Sequence, residues 1–67
     1  MKILINDKEY IFEDTELKLV DILSKLDVNK AGLIAEVDGK VFNNSELNDA
    51  VVKDKSIVEL IKIFGGG

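Results

Sequence analysis

Ile57-Val58-Glu59-Leu60-Ile61-Lys62-Ile63-Phe64-Gly65-Gly66-Gly67 closes the sequence and decides how the rest is read. Its first part is rich in branched apolar side chains, which suit the pleated surface of a buried strand. That run passes without a polar spacer into three glycines, the residue with the most conformational freedom to lose on ordering. The expectation is an anchored strand that ends in a thin, mobile thread with a carboxylate at its tip. A tail serving solubility alone would more often carry Lys, Ser or Glu. The thread is therefore read as the working part, with a domain over 1–64 and a glycine tail over 65–67.

Working outward, the 67 residues suffice for one domain with one small core. There is no cysteine to supply a disulfide or a thiolate metal site. Apolar residues make up 46% and charged residues 33% of the chain, a balance that suits a compact fold and argues against disorder. No apolar run approaches membrane-spanning length and no signal-peptide core is apparent, so a cytoplasmic protein without membrane association is expected. Nine lysines face thirteen Asp and Glu, giving a net charge of −4. That charge repels phosphate backbones, and there is no Arg for bidentate phosphate or base contacts, so nucleic acid is not expected as a partner. An acidic surface is compatible with a basic protein partner.

Residues 2–6 read as a first strand in which Ile3 and Ile5 face the core with Met1, and Leu4 faces away. Asn6-Asp7-Lys8 reads as a turn and 9–13 as a second strand with Tyr10 and Phe12 on one face, which makes a hairpin. Residues 14–18 lead into a helix, with Thr15 as a candidate N-cap. Leu19, Ile22, Leu23 and Leu26 form its apolar stripe, which is expected to cover a sheet. After a polar loop over 27–32 come a strand at 33–37, an Asp38-Gly39 turn and a short strand at 40–42. A capped helical turn begins at Asn43, and Val51, Val52 and a Lys53-Asp54-Lys55 turn lead into the last strand. The fold expected is α+β in the order β-β-α-β-β-(short helix)-β. A mixed sheet of four to five strands packs on one main helix. Its first and last strands are parallel central neighbours, since the helix and the strands after it supply the long crossover.

The inventory for catalysis is poor. With neither His nor Cys, the commonest general base and the best side-chain nucleophile are both missing. The acidic neighbours Asp7 with Glu9, and Glu13 with Asp14, form no calcium-loop pattern and read as solvated surface. The glycines at 65–67 make no phosphate loop, because no helix follows them. No catalytic residue, metal site or bound cofactor is assigned, and the chain is not expected to be an enzyme. The Gly67 carboxylate is different, because it becomes acyl-reactive once joined to a leaving group such as AMP. Gly65 and Gly66 would give it reach, about 10 Å for three extended residues, and would let a partner's backbone approach closely. In the last strand Glu59 should point away from the core, so Val58 and Leu60 face inward. Alternation then turns Ile57, Ile61 and Ile63 outward, on the face that also carries Leu4. These four, with Phe64 beside the tail, are the expected partner-binding patch.

The order β-β-α-β-β-β with closing glycines resembles the ubiquitin-like β-grasp sulfur carriers, and among them the thiamine-biosynthesis sulfur-carrier (ThiS) family. The likeness covers the whole chain. It rests on Met1-Lys2-Ile3-Leu4-Ile5-Asn6-Asp7, on Leu19-Val20-Asp21-Ile22-Leu23-Ser24-Lys25-Leu26 and on Ala35-Glu36-Val37-Asp38-Gly39. Ser45-Glu46-Leu47 and Val58-Glu59-Leu60, running on to Gly66-Gly67, complete it. The resemblance implies that an E1-like (ThiF-type) enzyme uses Mg-ATP to adenylate the Gly67 carboxylate. It further implies that sulfur from a cysteine desulfurase system converts this to a thiocarboxylate. A ThiG-type thiazole synthase would then take the sulfur. ATP and magnesium would belong to the adenylating partner. The sequence departs from the family at Leu47, where Trp is frequent, at Lys55, a turn position that is often Gly, and at Asp7, where the first hairpin commonly has Gly. Those changes bear on turns and packing and leave the tail untouched. The related small subunit of molybdopterin synthase, usually longer, uses the same tail chemistry. A carrier for that or another sulfur-containing product, a ubiquitin-like modifier and a plain binding module therefore stand as alternatives.

Overall fold

The computed structural model describes residues 1–63. Two hairpins frame it, each closed by a two-residue turn. Strand β1 (Lys2–Ile5) pairs antiparallel with β2 (Lys8–Ile11), Ile5 lying opposite Lys8. Asn6 and Asp7 between them both have positive φ, 49° and 68°. That is the type I′ geometry whose twist matches the flanking strands, and Asn and Asp tolerate it better than most residues. Farther along, β4 (Leu33–Val37) and β5 (Lys40–Phe42) are joined in the same way through Asp38-Gly39, with φ of 50° and 88°. The last strand, β7 (Ile57–Lys62), lies between these hairpins, parallel to β1 and antiparallel to β4. The order of the main sheet is β2-β1-β7-β4-β5. The expected parallel pairing of the first and last strands is therefore present, at the centre of five strands.

Between the hairpins lies a departure from the expected order. Residues Glu16–Lys18 form a strand, β3, which pairs antiparallel with β6 (Val51–Lys53) in a separate two-stranded sheet. Thr15 is thus no helix cap. The helix α1 runs over Leu19–Lys25 with Lys18 at its N-cap position, and the Leu19 N–H donates to the Ala50 carbonyl at 3.0 Å. A backbone group from the end of the next helical segment does what a capping hydroxyl would have done. Leu17 opposite Val52 supplies the apolar contact of this ladder, Val52 being fully buried.

At its other end α1 closes through Asp27, whose φ is 57°. The Asp27 N–H donates to the Ser24 carbonyl (3.1 Å) and the Val28 N–H to the Leu23 carbonyl (2.9 Å), a Schellman pair that satisfies two terminal carbonyls. The expected helical turn after β5 is a 3₁₀ segment over Asn44–Asp49, held at its start by the Glu46 carboxylate accepting the Asn43 N–H at 3.0 Å. Leu47 on this segment is buried.

The core lies between the sheet and these helical segments. Ile3 and Ile5 of β1, Leu33, Ala35 and Val37 of β4 and Val58 of β7 meet Leu19, Ile22 and Leu23 of α1. Leu26, the fourth member of the expected stripe, is partly buried at its margin with Met1, Tyr10, Phe12 and Leu60. The opposite face of the sheet has no layer over it among the described residues. Among the described residues, no helix is long and apolar enough to cross a membrane.

Candidate functional site: the exit strand and the open sheet face

Three fastenings hold β7 in the middle of the sheet. At its start, the Asp38 carboxylate accepts from the Ser56 hydroxyl (2.7 Å) and the Ile57 N–H (2.8 Å), while the Asp38 N–H donates to the Ile57 carbonyl (2.9 Å). Ser56, buried and polar, also accepts the Lys53 N–H at 3.0 Å, so its hydroxyl is satisfied twice. In the middle, the Asn6 side chain replaces a backbone peptide. Its Oδ1 accepts the Leu60 N–H at 2.7 Å and its Nδ2 donates to the Leu60 carbonyl at 3.3 Å. At the end, the Ile63 N–H donates to the Gly32 carbonyl at 2.8 Å.

Gly32 is required there. Its φ is +70°, and a Cβ at this position would lie 2.6 Å from the Ile63 carbonyl oxygen. Its loop is tied down too. The Asn44 amide donates to the Lys30 and Leu33 carbonyls at 2.6 and 3.0 Å, and the Lys62 ammonium donates to the Asn29 carbonyl. Loop and strand end are thus fixed to one another, and the chain leaves the sheet from a rigid support.

On the open face, Leu4, Ile57, Ile61 and Ile63 are exposed, the last three by about half. The register divides them. Leu4 lies opposite Ile57, Ile61 opposite Ile34, and between these pairs Glu59 faces Glu36. Of the expected patch, Leu4 therefore sits with Ile57 at the start of β7, four residues from Ile61 and about 13 Å away along a strand. Beside Leu4 and Ile57, a shallow groove of about 290 Å³ is rimmed by Lys2, Glu9, Lys55 and Ser56. Lys2 and Glu9 form an ion pair at 2.9 Å. The Glu9 hydrogen bond and charge, with a smaller contribution from Asp54, hold the Lys2 ammonium above its ordinary pKa. Across β4, Val41 lies opposite Glu36 and is also exposed.

Ile34, the Glu36–Glu59 opposition, the Asn6 amide and Gly32 escaped the sequence reading. The first two depend on which strands become neighbours. The last two had a local signal, a turn Asn and a Gly just before a strand, that marks a bend without naming its partner. Phe64 and Gly65, Gly66 and Gly67 lie outside the described residues. Among those described, no group of three or more acidic, His or Cys side chains is placed to hold a metal.

A family model, that of the ThiS family, matches residues 2–67. The fold is similar to the crystal structure of a thiamine biosynthesis protein (ThiS) from Geobacter metallireducens. That likeness has a TM-score of 0.82 and 29% identity, and it covers all of both chains. It is also similar to the solution structure of a thiamine biosynthesis protein from the same organism, with a TM-score of 0.72 and 29% identity over all of this chain and 88% of that one. A comparison with curated proteins gave no match. With a β-grasp sheet, an anchored exit strand and a family match that runs through the closing glycines, this chain belongs to the ThiS family.

Proposed function

We propose that the chain is a sulfur carrier for thiazole formation in thiamine biosynthesis. The family match over residues 2–67, which includes the glycines, is the observation that carries this reading. An adenylating enzyme joins the Gly67 carboxylate to AMP: a carboxylate oxygen attacks the α-phosphorus of ATP and pyrophosphate leaves. Sulfur at the sulfide level, delivered by the donor system, then attacks the acyl carbon; the C–S bond forms as the bond to AMP breaks, and a thiocarboxylate remains. A thiazole synthase takes the sulfur from it. Magnesium and the groups that stabilise charge on phosphate belong to the adenylating partner.

This chain contributes recognition and reach. Leu4, Ile57, Ile61 and Ile63 give the partner apolar contacts on the open face, and the fastened β7 delivers the glycines from a constant direction. No acid–base group is needed in the carrier, because the carboxylate is already ionised at neutral pH.

Intact-mass measurement of the protein isolated from cells making thiamine tests the reading. A fraction with one oxygen exchanged for sulfur at the C-terminal glycine is the expected result. Conjugates to lysines of other proteins would instead identify a modifier. A chain whose mass never changes, and whose loss leaves thiamine synthesis intact, would identify a binding module.

A further inference from the structure

Backbone groups along β7 alternate in direction. The Ile57 carbonyl and the Ile63 N–H bond toward β4 and the loop before it, so odd residues face that side. Even positions face β1: the Leu4 N–H donates to the Ser56 carbonyl at 3.1 Å and the Asn6 N–H to the Val58 carbonyl at 2.9 Å. At Asn6 the β1 chain turns away through its left-handed residues, and the Asn6 amide takes the next rung by bonding both backbone groups of Leu60. The rung after that belongs to Lys62, whose N–H and carbonyl face the row β1 has vacated, where no described residue pairs with them. Asn6 thus ends the internal ladder one rung before β7 itself ends.

We propose that this vacated row is a strand-addition site, occupied by an extended segment of the adenylating partner that pairs with the Lys62 backbone. The inference rests on the carrier reading above. The length of the chain identifies the occupant. Gly67 is five residues beyond Lys62, about 17 Å at full extension. Any enzyme acting on that carboxylate must bring its own surface beside this edge. An edge at the centre of a sheet that no described residue pairs with offers such a surface main-chain hydrogen bonds, and side chains at alternate positions supply selectivity. Ile61 and Ile63, exposed on the open face, are the alternate neighbours, so the incoming segment carries apolar residues at every second position on that side.

Amide exchange of the free chain, and of the chain bound to its purified adenylating enzyme with ATP and magnesium, tests the proposal. In the free chain the Lys62 amide exchanges fast while that of Ile63, bonded to Gly32, is protected. In the complex, Lys62 exchange slows by about tenfold or more. A Lys62 amide-to-ester replacement, which removes the donor and keeps the side chain, raises KM for adenylation about three- to tenfold, the loss of one such hydrogen bond, and leaves kcat unchanged. A complex that adenylates Gly67 with Lys62 still exchanging as in the free chain, or an ester with unaltered KM, overturns strand addition and leaves the carrier reading standing. If Gly67 is not adenylated at all, that reading fails and the strand proposal fails with it.

Discussion

Lys55 sits in the left-handed region at φ 70°, with its N–H donating to the Lys2 carbonyl at 2.7 Å. A side chain there costs about 1 kcal/mol or more, and glycine would remove that cost while adding entropy to the unfolded chain. Lys55→Gly should therefore stabilise the protein by about 0.5 kcal/mol, read from the denaturant midpoint; a lower midpoint would show that the lysine side chain has favourable contacts outweighing its backbone strain. Gly32 is the opposite case. Gly32→Ala combines a positive φ with a Cβ set against the Ile63 carbonyl, and a loss of roughly 1–3 kcal/mol is expected. If stability is unchanged by calorimetry, the close approach between loop and strand end is absent in solution.

At the scale of elements, Glu36 and Glu59 oppose each other on neighbouring central strands. Like charges directly across a ladder oppose pairing by a few tenths of a kcal/mol up to about 1 kcal/mol. Glu59→Gln should raise stability by about 0.5 kcal/mol at low salt and by less at high salt, where screening already weakens the repulsion. A gain independent of salt would point to packing instead of charge. That pair also shows why the open face is not one apolar surface: the charges separate Leu4 with Ile57 from Ile34 with Ile61. Ladder β3–β6 holds the other lesson at this scale. Its strands are three residues each and come from distant parts of the chain. Glu16-Leu17-Lys18 has no local pattern to separate it from the helix that follows, and the Leu17–Val52 pairing is what makes it a strand.

For the whole molecule, the carrier reading predicts that the core and the closing glycines are separable. Deletion of Gly67 should leave the thermal midpoint unchanged and abolish ATP–pyrophosphate exchange with the adenylating enzyme. Exchange at the wild-type rate in the truncated chain would mean that another group is activated. Ile61→Asp puts a charge on the open face at a position about half exposed. It should cost about 1 kcal/mol of stability or less and raise KM for adenylation about tenfold, the equivalent of one lost apolar contact in a desolvated patch. A large fall in the thermal midpoint with unchanged KM would place Ile61 in the fold's own packing and outside the docking surface.

By itself the sequence determined the two hairpins, the helix stripe, the last strand and the face each of its side chains takes. All are local: Asp-Gly and Asn-Asp turns impose their own backbone, and periods of two and 3.6 residues declare which side is buried. The reading of the closing glycines as a working tail falls on residues outside the described ones. Tertiary structure alone decided what depends on meeting a distant segment. It turned residues 16–18 into a strand and gave the helix its first amide partner from Ala50. It also set Glu59 against Glu36 and let one Asn6 side chain finish a ladder that its own backbone had left. Such contacts join residues far apart along the chain, so their hydrogen bonds and charges exist only once the sheet has assembled around β7.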